Sequence, residues 1–159
     1  MADLELKKGA APDTPDADHI RLHATAAGNI AAKDSAGVVH VYGYEFSLPI
    51  MLENIYSGYK TPPIEMPYAG TIVSVRVTSN SLCTLQADIW KGVYNSLPLG
   101  SNLSIVAAAP VTLAGAVKNE DTTLVGWTKT LAQGEWVQVV INTVTAGSSH
   151  SINIRGGRT

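Results

Sequence analysis

The side chains of this 159-residue chain that could do chemistry are four histidines, one cysteine, thirteen carboxylates and the rings of three tryptophans, six tyrosines and one phenylalanine. His19 and His23 are four residues apart, the spacing that puts two ligands on one helix face. The run His19-Ile20-Arg21-Leu22-His23 alternates instead, as a strand does. At about 3.3 Å per residue the two rings of such a strand stand roughly 13 Å apart, too far to share a metal with bonds of ~2 Å. Only a trimer with its axis near this strand would bring three copies of one histidine together. Cys83 would be a nucleophile if a histidine approached it. It follows Leu82 at the start of an apolar run and is expected to be an ordinary buried thiol. Ser148, Ser149 and His150 are neighbours in sequence, which on a strand sends adjacent side chains to opposite faces. With no Gly-x-Ser-x-Gly elbow, this stretch reads as a polar hairpin turn.

The acids are equally scattered. Asp13, Asp16 and Asp18 lack the glycine and distal glutamate of a calcium loop, and Pro15 interrupts them. Asp88, Glu120, Asp121 and Glu135 have no spacing that pairs them for glycoside hydrolysis. Asp88 is expected to serve a cross-strand partner, and Glu120 and Asp121 to lie in a polar loop. Gly92 and Gly100 are not followed by the Lys-Ser or Lys-Thr of a phosphate loop. No catalytic residue, metal site or cofactor is expected, and the chain is read as a non-enzyme. The aromatic residues remain. Trp90, Trp127 and Trp136, with Tyr56, Tyr59, Tyr68 and Tyr94, suit either the core and subunit interfaces or a platform for sugar rings. As a platform, Trp90 and Trp127 are the candidates.

What would position these residues is a set of strands. Val73, Val75 and Val77 alternate with Ser74, Arg76 and Thr78, and Leu85, Ala87 and Ile89 with Gln86, Asp88 and Trp90. Val137, Val139 and Ile141 alternate with Trp136, Gln138 and Val140, and His150, Ile152 and Ile154 with Ser151, Asn153 and Arg155. Period-two alternation marks strands with one buried face. Polar clusters at Ser79-Asn80-Ser81, Leu99-Gly100-Ser101-Asn102 and Ala146-Gly147-Ser148 separate them as turns. The body is therefore expected to be an antiparallel sandwich or barrel.

The composition sets the other bounds. Apolar residues are 45% and charged residues only 15%, which weighs against disorder, coiled coils and long solvated helices. Eleven basic against thirteen acidic residues leave a net charge of −2, so nucleic acid is not an expected partner. No apolar stretch reaches the ~20 residues of a membrane helix, and no signal-peptide core is visible after Met1. Residues 1–18 carry Pro12, Pro15 and few large apolar side chains, and are expected to form an extended arm. Residues 19–48 read as a small three-stranded meander, 49–63 as a linker and 64–159 as the body. A meander this small needs a packing partner, either the body or other copies of itself.

Two stretches carry a resemblance. Leu6-Lys7-Lys8-Gly9-Ala10-Ala11-Pro12, His19-Ile20-Arg21-Leu22 and Lys33-Asp34-Ser35-Ala36-Gly37-Val38-Val39 are similar to the N-terminal segment of many tailed-phage virion proteins, with Asp18 where that family often has glycine. Ile64 to Gly70-Thr71-Ile72, Asp88-Ile89-Trp90-Lys91, Asn102-Leu103-Ser104-Ile105, Leu124-Val125-Gly126-Trp127 and Gly134-Glu135 resemble the jelly-roll module of the same class. The resemblance implies an all-β protein in which an extended arm and small meander precede an eight-stranded antiparallel jelly roll, usually trimeric and on the virion surface.

It also implies a function: a capsid decoration (cement) protein, with the major capsid protein as partner, that clamps neighbouring capsid subunits. An 18-residue arm can reach about 60 Å when extended, and three arms on one trimer would slow dissociation. The contact residues expected from this are Leu4, Leu6, Lys7, Lys8 and Pro12 of the arm and Ile20, Leu22 and Val39 of the meander. The alternative within the same class is a short fibre or spike tip that recognises a host glycan through Trp90 or Trp127. No shaft-forming repeat or coiled coil is present, which favours decoration.

Overall fold

The structure, a computed structural model, describes residues 21–24, 30–33, 35–37, 39–42, 45–145 and 149–158. The chain divides into two compact units, Met1–Tyr44 and Glu45–Thr159. In the first, β1 (Arg21–Ala24), β2 (Ile30–Lys33) and β3 (Val39–Tyr42) form an antiparallel sheet in the order β1-β2-β3. Ala31 and Ala32 of the central strand point to opposite faces and are both buried.

Among its described residues the second unit holds seven strands: β4 (Glu45–Glu53), β5 (Ile64–Glu65), β6 (Gly70–Gly92), β7 (Val111–Asp121), β8 (Thr130–Leu131), β9 (Trp136–Val144) and β10 (Ser149–Arg158). The spine is β6, a strand of 23 residues. Val75 pairs with Ile154 on one side and Asp121 on the other, and Leu85 with Val144 and Leu113. Hence β10 and then β9 follow one edge of β6, while β7 runs along the other. β4 adds to β10 and β5 to β9, extended by residues 58–61, whose backbone bonds Val139 and Ile141.

This continuous sheet folds over on itself, with its corner where residues 79–82 of β6 bulge out between the pairs Thr78–Lys118 and Cys83–Ala116. Gly115, at φ 61°, supplies the matching bend in β7. Ile50, Leu52, Val75, Val77, Ile152 and Ile154 of one layer meet Leu85, Ala87, Ile89, Val137, Val139 and Ile141 of the other in a single buried cluster. Strands that pass from one layer to the next through bulges are how such corners are made. The result is an all-β, jelly-roll-like sandwich, as expected. It has seven strands where the resemblance implied eight, because one long β6 serves both layers.

Four local expectations are corrected. The stretch 49–63 is not a linker and the meander does not run to residue 48: β4 begins at Glu45 and is a full member of the body's sheet. Pro49 hid it, but proline is tolerated on an edge strand, which β4 is. Ser79-Asn80-Ser81 is a bulge inside one strand, not a turn between two. Glu120 and Asp121 end strand β7, not a loop. Val73 faces outward and is 56% exposed. The register with β10 shifts between Arg155 and Gly156, so Ile72 and Val75 both point inward although their numbers differ in parity.

Candidate functional site

The residues named from sequence divide by location. Leu4, Leu6, Lys7, Lys8, Pro12 and Ile20 lie outside the described residues, as do His19 and the turns at 26–28 and 146–148. Leu22 stands on β1 with half its surface exposed. Val39 opens β3. Trp90 and Trp127 are each only 7% exposed, which corrects the platform expectation: neither presents a ring face to solvent.

Both tryptophans are packed as joints. The Trp90 Nε1–H donates to Asp88 Oδ2 at 2.8 Å, and the Lys60 ammonium lies 4.6 Å from its ring centroid. Leu99 and Val140 bury it further, beneath the segment 93–104, whose two short 3₁₀ turns are Tyr94–Ser96 and Ser101–Leu103. Asp88 Oδ1 accepts from the Ser104 hydroxyl at 2.7 Å and from the Ile89 N–H, so one carboxylate fixes that segment to β6. The Trp127 Nε1–H donates to the Ala109 carbonyl at 2.8 Å while its ring joins the main core.

Other chemically capable groups are engaged in the same way. The Lys91 ammonium donates to both Glu135 oxygens at 3.0 Å and to the Thr130 carbonyl, and Glu135 accepts from the Ala132 N–H. This pair closes the turn before β9. Cys83 Sγ lies 3.9 Å from His150 Nδ1, and both residues are buried. Sequence left that approach open as the condition for a reactive thiol. The pair forms, but inside the corner and closed to solvent.

A cavity of about 280 Å³ opens between the layers at the β7 edge, floored by Val75, Val77 and Val111. The polar groups at its rim are also committed. The Asn119 amide donates to the Thr112 carbonyl, and Glu120 pairs with Arg76 at 2.8 Å. Asp121 accepts from the Thr123 hydroxyl and the Thr123 and Leu124 N–H groups. Those hydrogen bonds, the Leu124 N–H foremost, hold the Asp121 carboxyl below its ordinary value of 3.8. Among the described residues, no group of three or more His, Cys, Asp or Glu side chains is placed to hold a metal ion.

One surface differs from these joints. Tyr94 is 69% exposed, and its ring lies 6.0 Å from that of half-buried Trp136 at an interplanar angle of 48°. The two residues are 42 apart in sequence, so no spacing rule could have joined them. The signal that was present is negative: neither Tyr94 nor Trp136 has an aspartate two residues before it, as Trp90 does.

No family model matches the chain, and no curated protein matches it. Among solved structures, a chain of infectious bursal disease virus, Gt strain, is similar at 13% identity and a TM-score of 0.30 over 80% of this chain and 38% of that one. A chain of the Gx strain is similar at 15% identity and a TM-score of 0.21, over 94% of this chain and 34% of that one. This chain thus spans little more than a third of the length of either. At these TM-scores the likeness defines neither architecture nor function.

Proposed function

We propose that the protein is a structural virion protein of a tailed phage: a trimeric decoration protein on the capsid surface that binds the major capsid protein and stabilises the head. The observation that carries this reading is the use to which the body puts its polar side chains. Asp88, Lys91, Glu120, Asp121 and Glu135 are all consumed in fixing loops and strands to one another. An enzyme needs convergent polar groups kept open towards a substrate, and a clamp needs a stiff body and an attachment surface.

The separate N-terminal unit fits the attachment role. Leu4, Leu6, Lys7, Lys8 and Pro12 are the proposed arm contacts, with Ile20, Leu22 and Val39 on the meander. The phage resemblance of residues 5–43 supports the same assignment. No catalytic step, cofactor, metal, nucleic acid or membrane enters this function. The test is deletion of residues 2–18 and sedimentation with emptied phage heads. The shortened protein is expected to keep the far-ultraviolet β signature of the intact chain and to stay in the supernatant while the full chain pellets. A shortened protein that still decorates heads would refute the role of the arm.

A further inference from the structure

We infer that Trp136, Tyr94 and Glu65 form a carbohydrate-binding site for a neutral or N-acetylated pyranose. The inference rests on the geometry of these residues and is independent of the capsid reading. Trp136 opens β9, and its Cα partner on β5 is Glu65, so the two side chains leave the same face of the sheet as direct cross-strand neighbours. Its partner on the other side is Gly92, which has no side chain to cover the indole. A Cβ there would stand 2.9 Å from a Leu99 methyl, so the glycine lets the 93–104 segment sit close and hold Tyr94 over the strand end.

The two rings meet at 48° with centroids 6.0 Å apart, tilted rather than packed face to face. Among the described residues, the Trp136 indole N–H, the Tyr94 hydroxyl and the Glu65 carboxylate have no hydrogen-bond or ion-pair partner. In contrast, the indole N–H groups of Trp90 and Trp127 are both bonded. A pyranose matches this combination. Its C–H face stacks on an aromatic ring, and its equatorial hydroxyls can donate to a carboxylate and accept from an indole N–H. The exposed apolar surface here is the two rings with Val93 beside Tyr94, which is small for the apolar centre of a protein–protein interface, since that spans many residues. The Glu65 charge repels acidic sugars, which sets the expected selectivity against sialic acid.

The test uses the full chain labelled with ¹⁵N in its tryptophans, which gives three indole signals, Trp136 being assigned by its loss in Trp136→Phe. Titration with lactose, chitobiose and 3′-sialyllactose is expected to move the Trp136 signal saturably with at least one of the first two, and to leave Trp90 and Trp127 in place. Tyr94→Ala, at an exposed position, is expected to weaken that binding about tenfold, the loss typical of an aromatic anchor. Glu65→Gln should weaken it severalfold, and Tyr56→Ala, at an unrelated exposed ring, should not change it. No movement of the Trp136 signal with lactose or chitobiose at millimolar concentrations would overturn the inference. So would binding that Tyr94→Ala leaves intact, or a preference for sialyllactose.

Discussion

Cys83 and His150, 67 residues apart, meet inside the corner of the folded sheet with Sγ 3.9 Å from Nδ1. His150 stands at the start of β10 in one layer. Cys83 begins the second half of β6, just past the bulge that carries the strand into the other layer. The contact therefore pins the two layers where they turn into each other. Since Cys83 is 3% exposed, its thiol should react with Ellman's reagent only when the corner opens. Native protein is expected to label slowly and urea-unfolded protein at once. Cys83→Ala should lower stability by about 1 kcal/mol in urea titration. Rapid labelling of native protein would show that the corner is not closed.

Asp88 accepts three hydrogen bonds: the Ser104 hydroxyl ties the 93–104 segment to β6, and the Ile89 N–H and the Trp90 indole N–H are donors within β6 itself. Asp88→Ala leaves the Trp90 N–H buried without a partner and should cost about 2–3 kcal/mol. Asp88→Asn keeps one carbonyl oxygen and should cost less. Urea unfolding followed by tryptophan fluorescence measures both, and equal losses would mean that the carboxylate charge, not the joint, matters.

Gly156 lies where a Cβ would come within 2.4 Å of the Thr71 carbonyl oxygen and within 2.3 Å of the Phe46 ring. The ring can turn aside, but the backbone oxygen belongs to the sheet. Gly156→Ala should destabilise by roughly 1–3 kcal/mol through overpacking. Gly157→Ala, with nothing near its added methyl, is the control and should change stability far less. Similar losses at both positions would contradict the close approach of β10 to β4 and β6.

Asp121 titrates below its ordinary value of 3.8 because the Leu124 N–H and the Thr123 hydroxyl bond its ionised form. A carboxyl with a lowered folded-state value stabilises the fold above its unfolded value, and that contribution is lost as pH falls through the lower, folded one. Stability should therefore decline from about pH 4 downward, and Asp121→Asn should flatten part of that slope. The group is half-buried at the end of β7, so the effect is small and partly screened by salt. An unchanged slope in the variant would remove Asp121 from the acid response.

The alternation of Leu85, Ala87 and Ile89, of Val137, Val139 and Ile141, and of Ile152 and Ile154 was legible because each strand buries one face in a common core. β4 was not, since Pro49 reads as a break until the strand is known to be an edge. β7 was not, because Gly115 and the exposed run Val117 to Glu120 erase its period. Val73 misled because a bulge reverses parity without any mark in the local sequence. The tryptophans were visible as a set, but which ring is covered depends on where the 93–104 segment lies. That long-range packing buries Trp90 and leaves Tyr94 exposed and Trp136 half-buried.

The central proposal, a trimeric clamp on a phage head, is tested most directly by light scattering of the purified chain, alone and after incubation with emptied phage heads. The expected result is the mass of three chains in solution, and a complex that sediments with heads and raises their resistance to heat. A monomer, or a trimer that leaves heads bare and no more heat-resistant, would contradict it.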